Sequence, residues 1–496
     1  MQLWTFDRYR KPYLRIDAVE IDPERRLIEI IQGDQTYHLA IDSAPAAIQL
    51  AEELNRLKDR SSPLWDAMRG TPEDGPWRHV LTFLDNRSLI AEGCDAGAEI
   101  LRSRKGVVEQ CIEATAARSV LGLGPECAAV VAANAARLRQ IALKRLKGAA
   151  VPFDFFDAQE EPNFFIALVM AELAYFERSS PLTLTAVECL LARMAGKAGV
   201  SLEDNGDLQE ALALYDLKDL ESHLWLVAQA LVASAAAGAL RLPTPPVPAL
   251  PQSSGLEFMR QTEVMTRTTL KMWGQNPYVA ALDALDDTYS PLVAGPFIEQ
   301  YHVTRRFVEI IAPLLSKRLA SPLRQMMFQY YGEEVGHEAL ESTTCEALGV
   351  EQAALDRAMP LPLHFAFVDV LTLLAEIDPF AAFASIMAIE GVFGEPPKMS
   401  LRLAAVARTN PAFQGLAGDH DDLNEDLNHN SIARDAFESI AAAPSATQGR
   451  VMRRILFLLE LNHRAWGGIA DYYGQQQTLH LQGALGAPLS TTGVLI

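Results

Sequence analysis

Near the start of the chain, apolar and polar residues alternate with the period of a strand. Two such runs flank the turn residues Gly33 and Asp34, and this arrangement predicts a pair of short strands. The predicted elements of the region are strands over 27–32 and 36–41, helices over 44–58 and 74–85, and a closing strand over 88–93. Their order predicts a small α+β module of the winged-helix-like type over residues 1–95.

Beyond this module the apolar residues follow helical spacing, which predicts a helical region over 96–241. Its clearest segments are 182–195 and 208–240. Within the second segment, Asp216, Asp219 and His223 share one helical face, as the ligands of a metal cluster can. Because no nearby helix offers a convincing second carboxylate and histidine, we interpret the three as a polar stripe on a surface helix.

A proline-dense segment over 242–255 interrupts the helical pattern. Proline bars a continuing helix, so this segment predicts an extended connector and a domain boundary. Helical spacing returns over 256–475 and predicts a bundle, and residues 476–496 predict a loose tail. The predicted helices of the bundle are 257–273, 277–285, 294–319, 322–348, 362–376, 379–392, 398–408, 421–441 and 447–473.

Composition narrows the class of protein. Nearly half of the 496 residues are apolar (49%), with Ala and Leu prominent, which favours a mainly α protein with sizeable cores. The formal net charge of −20 argues against a nucleic-acid partner and an anionic membrane surface. Five scattered cysteines and a start without a signal-peptide pattern predict a reducing, cytoplasmic location. The uncharged run 224–240 predicts a buried helix rather than a membrane span.

The candidate chemistry begins in the segment 322–348. Glu334 and His337 stand three residues apart and Glu333 and His337 four apart, so either carboxylate can share a helical face with the imidazole. A Glu-x-x-His pair that projects from a helix is the half-site unit of carboxylate-bridged di-iron and di-manganese bundles. Helical geometry alone leaves the choice between the two glutamates open.

Two further segments add possible ligands. In the first, Glu299, His302 and Glu309 fall within about 80° of one another around a continuous helix. Glu299 and Glu309 are alternative carboxylate ligands there. In the second, Glu390 is a lone carboxylate in an otherwise apolar helix. Because an unpaired carboxylate is costly to bury, Glu390 is expected to be exposed at a helix end or to bind a metal.

A fourth segment is acidic and contains two histidines. Asp422, Asp426 and His429 lie within about 60° of one another on a continuous helix, whereas His420 lies on the opposite side. Glu425 is close to the same face. Mixed oxygen and nitrogen ligands without thiolate suit iron or manganese better than zinc. Six or seven ligands from four helices would hold two metal ions with open positions for dioxygen; the alternative interpretation is a set of solvated acidic faces.

The order and spacing of these motifs resemble the haem-oxygenase-like di-iron oxidases, also called the iron-containing redox enzyme family. The resemblance covers roughly 270–475. Family members share a Glu-Glu-x-Gly phrase with a following His-x-x-Leu, and residues 329–340 read Gln-Tyr-Tyr-Gly-Glu-Glu-Val-Gly-His-Glu-Ala-Leu. The family's later lone glutamate matches Glu390. Its His-x-x-x-Asp-x-x-His motif matches 422–429, with Asp422 where the family has histidine.

The resemblance implies a haem-oxygenase-like bundle and an oxidase. Two Fe²⁺ ions, or Mn²⁺ in their place, would use dioxygen to oxidise a small amine- or carboxylate-bearing metabolite. The implied metal ligands are Glu299, Glu334, His337, Glu390, Asp426 and His429, with Asp422 as a variant ligand. Tyr301, Tyr331 and Arg305 are the candidates for catalytic or substrate-binding groups. Asp422 in place of histidine leaves open whether one metal binds or two.

Two other functions remain open from the sequence. The same fold could act as an enzyme without metal, or the chain could be a binding or scaffold protein with a degenerate bundle. In either case the module over 1–95 could bind a partner protein or peptide, and a homodimer is one assembly open to the chain.

Overall fold

The structure is a computed structural model of the 496-residue chain. It describes residues 12–14, 16–22, 24, 26–32, 35–57, 76–87, 89–92, 111–113, 115–117, 124–146, 159–178, 217–235, 241–247, 251–285, 290–390, 416, 431–483 and 488–490. The chain divides into two compact units, 1–103 and 104–496.

The described residues of the first unit form two small antiparallel sheets and two helices. Its elements are β1 (Pro12–Leu14), β2 (Ala18–Asp22), β3 (Leu27–Gln32), β4 (Gln35–Ala40), α1 (Ala44–Leu57), α2 (Pro76–Asn86) and β5 (Ile90–Glu92). The strands β2, β3 and β4 form one sheet in that order, and β1 pairs with β5. Ile28 and Ile30 of β3 are buried while Glu29 between them is not, as period-two alternation requires. The predicted α+β module is confirmed, and β1 and β2 are additions to it.

The second unit is helical. Its helices are α3 (Pro125–Leu146), α4 (Phe164–Arg178), α5 (Leu217–Ala235), α6 (Gly255–Trp273), α7 (Pro277–Asp283), α8 (Pro291–Arg305), α9 (Phe307–Leu315), α10 (Ser321–Glu334), α11 (Glu338–Ala347), α12 (Gln352–Arg357), α13 (Pro362–Ile377), α14 (Pro379–Glu390), α15 (Ile432–Glu438) and α16 (Ser445–Tyr473). Two short strands follow, β6 (His480–Gln482) and β7 (Pro488–Ser490), which pair antiparallel. The mainly α class is therefore confirmed, and the predicted tail 476–496 contains a strand pair.

Helix α13 is the central element of the second unit. Pro362 occupies its first turn, where a missing N–H leaves no helical hydrogen bond unmade. Apolar residues surround the helix on nearly all sides, and such a helix is buried rather than amphipathic. It packs against α4 and α5 on one side and against α8, α9, α14 and α16 on the others. Helices from 164–235 and from 291–473 consequently share one hydrophobic core.

The proline-dense segment lies within this unit, and hydrogen bonds fix its described residues to the bundle. The Leu242 amide donates to Glu460 Oε1 (2.8 Å), and Trp273 Nε1 donates to the Pro243 carbonyl (2.7 Å). Near its end, Gln448 Nε2 donates to the Pro251 carbonyl (2.9 Å). The segment 242–255 thus lies within the unit 104–496, and the division between the two compact units falls at a different place, after residue 103.

Two helices predicted as continuous are each interrupted. The helix expected over 294–319 is divided at Arg306, whose φ of −100° and ψ of 1° depart from helical values. The helix expected over 322–348 ends at Glu334, because Val335 is extended and Gly336 has a φ of +92°. Helical periodicity on both sides of each break concealed it. The helices expected over 182–195 and 398–408 lie outside the described residues.

None of the described helices has both the length and the apolarity that crossing a membrane requires. The uncharged run that begins at Leu224 forms the second half of α5 and is buried against α3, α4 and α13.

The shared core predicts the behaviour of truncated chains. A chain that starts at residue 256 lacks α4 and α5, which bury large side chains such as Phe164, Leu168 and Leu224. Burial of each such side chain contributes about 1.5–3 kcal/mol, so the loss of these three removes about 4.5–9 kcal/mol from a typical total stability of about 5–15 kcal/mol. We expect this chain to be insoluble or to unfold without a cooperative transition. A chain that starts at residue 104 should unfold cooperatively in circular dichroism; equal stability of the two would contradict the shared core.

Candidate metal sites in the helical unit

Glu334 and His337 form a buried pair at the junction of α10 and α11. Glu334 is the last residue of α10 and His337 precedes the first residue of α11. His337 Nδ1 lies 2.9 Å from Glu334 Oε2, and the two residues are 5% and 3% exposed. The pair therefore spans a turn between two helices, not one continuous helix as the spacing had suggested.

The local backbone explains how the turn presents both side chains inward. Gly336 adopts a positive φ of +92°, a conformation that residues with a Cβ rarely take. The His337 amide donates back to the Glu334 carbonyl at 3.4 Å and closes the turn. Glu333 points elsewhere, since it accepts a hydrogen bond from Gln329 Nε2 (2.7 Å) one helical turn earlier. Glu334 is thus the carboxylate that contacts His337.

Glu299 lies in a second buried group, at the contact of α8 with α13 and α16. Its side chain accepts hydrogen bonds from the Tyr473 hydroxyl and from the Leu361 amide, both at 2.8 Å. His364 Nδ1 is 3.7 Å from Glu299 Oε2. Burial raises the pKa of Glu299 to about 8, although the two hydrogen bonds oppose this shift. Burial also lowers the pKa of His364 to about 3, so its imidazole is neutral at physiological pH.

His302 and Glu309, the other members of the first predicted segment, are separated by the break at Arg306. His302 is buried on α8, and burial lowers its pKa. Glu309 lies on α9 with a side chain 43% exposed, and it accepts hydrogen bonds from Arg306 Nε and Nη2 at 3.1 and 3.0 Å. The common face expected for Glu299, His302 and Glu309 is wrong for Glu309, which lies on α9, whereas Glu299 and His302 both lie on α8.

The three predicted catalytic or substrate-binding residues occupy different surroundings. Tyr301 donates to Asp356 Oδ1 (3.0 Å) and accepts from Gln352 Nε2 (2.8 Å), so its hydroxyl joins α8 to α12. Tyr331 is partly buried against the main core. Arg305 is the last residue of α8 and is partly exposed.

The remaining predicted ligands lie outside the described residues. Asp422, Asp426 and His429, as well as His420 and Glu425, belong to the undescribed range 417–430. Glu390 ends α14, but its side chain is outside the description.

A third buried group joins three helices around His223. His223 Nδ1 lies 3.0 Å from Glu172 Oε2 on α4, and His223 Nε2 lies 3.3 Å from Asp369 Oδ2 on α13. One ligand atom from each of the three residues falls within 4.8 Å of the others, which is the arrangement of a possible metal site. His223 is 4% exposed, so the expected surface stripe with Asp216 and Asp219 is wrong for this residue.

The electrostatics of this third group are set by burial. Burial raises the pKa of Glu172, and the nearby Asp369 carboxylate raises it further. Burial lowers the pKa of His223 to about 4. Arg306 Nη2 donates a charge-assisted hydrogen bond to Asp369 Oδ1 at 2.7 Å. The group combines one guanidinium, one neutral imidazole and two adjacent carboxyl groups.

Sequence reasoning did not identify Glu172 or Asp369 as site residues. Both are lone acidic residues in apolar helices, in the runs Met170–Leu173 and Phe367–Leu371. A lone acidic residue in an apolar helix was the reason for selecting Glu390, and the same pattern holds at Glu172 and Asp369. Glu341, which accepts a hydrogen bond from Thr304 Oγ1 (3.3 Å) and is 3% exposed, was also missed.

A small apolar cavity lies along the buried face of α10. Its lining residues are Phe307, Ile310, Ile311, Leu314, Met327, Tyr330, Leu371, Ala382 and Ile386. Met327, Tyr330 and Glu334 are the buried residues of α10, so Glu334 follows the cavity residue Tyr330 by one helical turn. On α14, Glu390 follows the cavity residue Ile386 by the same spacing. The cavity therefore adjoins helices that carry predicted ligands.

Comparison with known proteins adds little to this geometry. No protein-family model matches the chain, and no curated protein matches it. A solved structure, a domain of unknown function with a heme oxygenase-like fold from Shewanella denitrificans OS217, matches with a TM-score of 0.36 at 15% identity. The match covers 44% of this chain and 92% of that domain. A TM-score this low supports no conclusion about function.

The turn between α10 and α11 leads to a prediction. Gly336→Ala should lower the free energy of unfolding by about 1–3 kcal/mol, because alanine is strained at a φ of +92° although no atom lies within 4 Å of its Cβ position. Gly332→Ala is the matched control, since Gly332 lies inside α10 with equally open space and should gain up to about 1 kcal/mol. Urea denaturation measures both; equal effects of the two substitutions would contradict the proposed turn.

Proposed function

We propose that the protein is a non-haem iron enzyme that uses dioxygen to oxidise a small amine- or carboxylate-bearing metabolite. The observation that carries the proposal is the buried Glu334–His337 contact of 2.9 Å at the junction of α10 and α11. A carboxylate and an imidazole in contact, both almost fully buried, are the donor types that iron and manganese bind.

The donor set fits an iron site. Glu334 supplies an anionic oxygen and His337 a nitrogen, and the turn at Gly336 fixes their relative positions. The three cysteines that the structure describes, Cys111, Cys127 and Cys345, are free thiols outside this turn. A pair of this kind is one half-site of a carboxylate-rich centre, and the other half would come from Glu390, Asp422, Asp426 and His429. The proposal extends to two ions per chain if Asp422 acts as a ligand in place of a histidine.

Bound iron would supply redox chemistry with dioxygen, which no amino-acid side chain provides. The protein's own contribution is position and exclusion of water. Apolar side chains line the small cavity next to α10, and an apolar lining of this kind disfavours water. Tyr330 is the cavity residue with a hydroxyl, and it lies one turn from Glu334. It is the candidate to orient a polar group of the substrate.

Glu299 is the predicted ligand whose surroundings favour another role. Both of its oxygens already accept hydrogen bonds from Tyr473 and the Leu361 amide, and its raised pKa favours a neutral carboxyl group. We propose that Glu299 joins α8 to α13 and α16 and supports the bundle. Its position as a ligand remains the alternative, and loss of iron in Glu299→Gln would establish it.

Iron binding tests the proposal directly. Glu334→Gln and His337→Ala should each lower the amount of Fe²⁺ bound in an anaerobic titration by at least about one ion per chain, because each removes a donor that water replaces poorly. Glu333→Gln is the matched control, since the Glu333 carboxylate accepts a hydrogen bond from Gln329. Optical changes on exposure of the loaded protein to oxygen should disappear in the first two variants and persist in the third.

The alternatives give different outcomes. A wild-type chain that takes up no Fe²⁺ would rule out the iron enzyme and favour a metal-free enzyme or a scaffold. Equal losses in Glu333→Gln and Glu334→Gln would show that the glutamates act through general charge and not through ligation.

A further inference from the structure

We propose that Glu172, His223 and Asp369 form a second metal site, which takes a divalent first-row ion such as Mn²⁺ or Fe²⁺ and ties α4, α5 and α13 together. These residues are different from those of the Glu334–His337 pair and lie on different helices. One ligand atom from each of the three residues lies within 4.8 Å of the other two, which is a spread that the ligands of one ion can have. The three residues are at most 4% exposed.

The charge of the group supports a bound cation. Arg306 is shared between Asp369 and the half-exposed Glu309, so it can neutralise at most one of the two buried carboxylates. A neutral His223 adds no compensation. The uncompensated negative charge in an apolar core requires either a proton or a cation. A divalent ion between Glu172 and Asp369 would neutralise the negative charges of both carboxylates. The positive charge of Arg306 would then be neutralised by Glu309.

An unpartnered atom is a second, independent indication. Glu172 Oε1 is buried and has no hydrogen-bond partner among the described residues. A buried carboxylate oxygen without a donor is strongly unfavourable, because it has lost its hydrogen bonds to water and has no hydrogen bond in their place. A metal ion bound by this carboxylate would remove the deficit.

The surroundings of the three residues hold them in place. Tyr175 stacks on the His223 ring at a centroid distance of 5.0 Å, and Phe365 meets its edge at 4.7 Å. Arg306 binds Asp369 through Oδ1, so Oδ2 faces His223. The His223 ring is thus held by aromatic neighbours, and the Asp369 carboxylate by a hydrogen bond from a residue outside the site. Tight metal sites hold their ligands in the same way.

The donor types select the class of ion. Two carboxylates and one imidazole favour manganese or iron, since a nitrogen ligand is foreign to calcium sites and structural zinc sites usually contain thiolate. The buried Cys111 lies outside the group of ligand atoms that fall within 4.8 Å of one another, so the group as the structure has it contains no thiol.

A proton shared within the group is the competing explanation, and Glu172→Gln separates the two. Glutamine is a neutral mimic of protonated glutamate, so a proton-only network would tolerate it with an unchanged melting temperature and no metal effect in either protein. A metal site predicts that Mn²⁺ raises the melting temperature of the parent protein by a few degrees and leaves that of Glu172→Gln unchanged.

The experiment uses the full chain with Glu334→Gln as the parent, so that the Glu334–His337 pair does not contribute. Mn²⁺ binding is followed by the loss of the free-ion electron paramagnetic resonance signal, together with the melting temperature. We expect about one Mn²⁺ per chain, and at least about tenfold weaker binding when Glu172→Gln or His223→Gln is added. Glu309→Gln is the matched control, because it contacts Arg306 from outside the site and should retain binding.

Absence of Mn²⁺ binding in the parent, or binding that survives Glu172→Gln unchanged, would overturn the second site. Neither result depends on whether iron binds at Glu334 and His337. The proposed oxidase is tested separately by the iron titration of the wild-type chain.

Discussion

The charge balance of acidic side chains buried around α13 is the constraint on which the helical unit depends. Asp369 lies in the middle of this apolar helix and is paired with Arg306 at 2.7 Å. Asp378 follows the end of the helix and is paired with Arg450 and Arg454 of α16, at 2.8 and 2.7 Å. A buried charge left unpaired would destabilise the protein by several kcal/mol, so these pairs fix which helices surround α13.

The same constraint connects the two sides of the proline-dense segment. Asp369 contacts His223 from α5, and Glu460 of α16 accepts from the Leu242 amide within that segment. Movement of the segment relative to the bundle would therefore break a hydrogen bond to the buried Glu460 carboxylate. These polar contacts and the shared apolar core join the helices before and after the proline-dense segment into one unit.

The spacing of apolar residues along the chain predicts most of the strands and helices, but it does not predict where a helix is interrupted. Alternation identified β3 and β4, and apolar periodicity located α13 and α16 to within a few residues. It missed the break at Arg306, because the guanidinium is fixed by Asp369, which lies 63 residues away in the sequence. It also read proline density as a boundary, whereas the hydrogen bonds that fix that segment come from Trp273, Gln448 and Glu460 far along the chain.

For the candidate sites, sequence reasoning anticipated a side-chain contact only where the two partners are close in the chain. Glu334 and His337 are three residues apart, so their contact could be anticipated even though a turn replaces the expected helix. Glu172 and His223 are 51 residues apart, and no spacing rule links them. A lone acidic residue within an apolar helix was the available signal, and it marks Glu172 and Asp369 as well as Glu390.

The central claim is that Glu334 and His337 bind iron, and anomalous X-ray scattering tests it most directly. Crystals loaded anaerobically with Fe²⁺ would be measured on both sides of the iron absorption edge. The account predicts a difference peak about 2.0–2.2 Å from an oxygen of Glu334 and from a nitrogen of His337. Iron that is bound at full occupancy elsewhere, with no peak beside either residue, would contradict it.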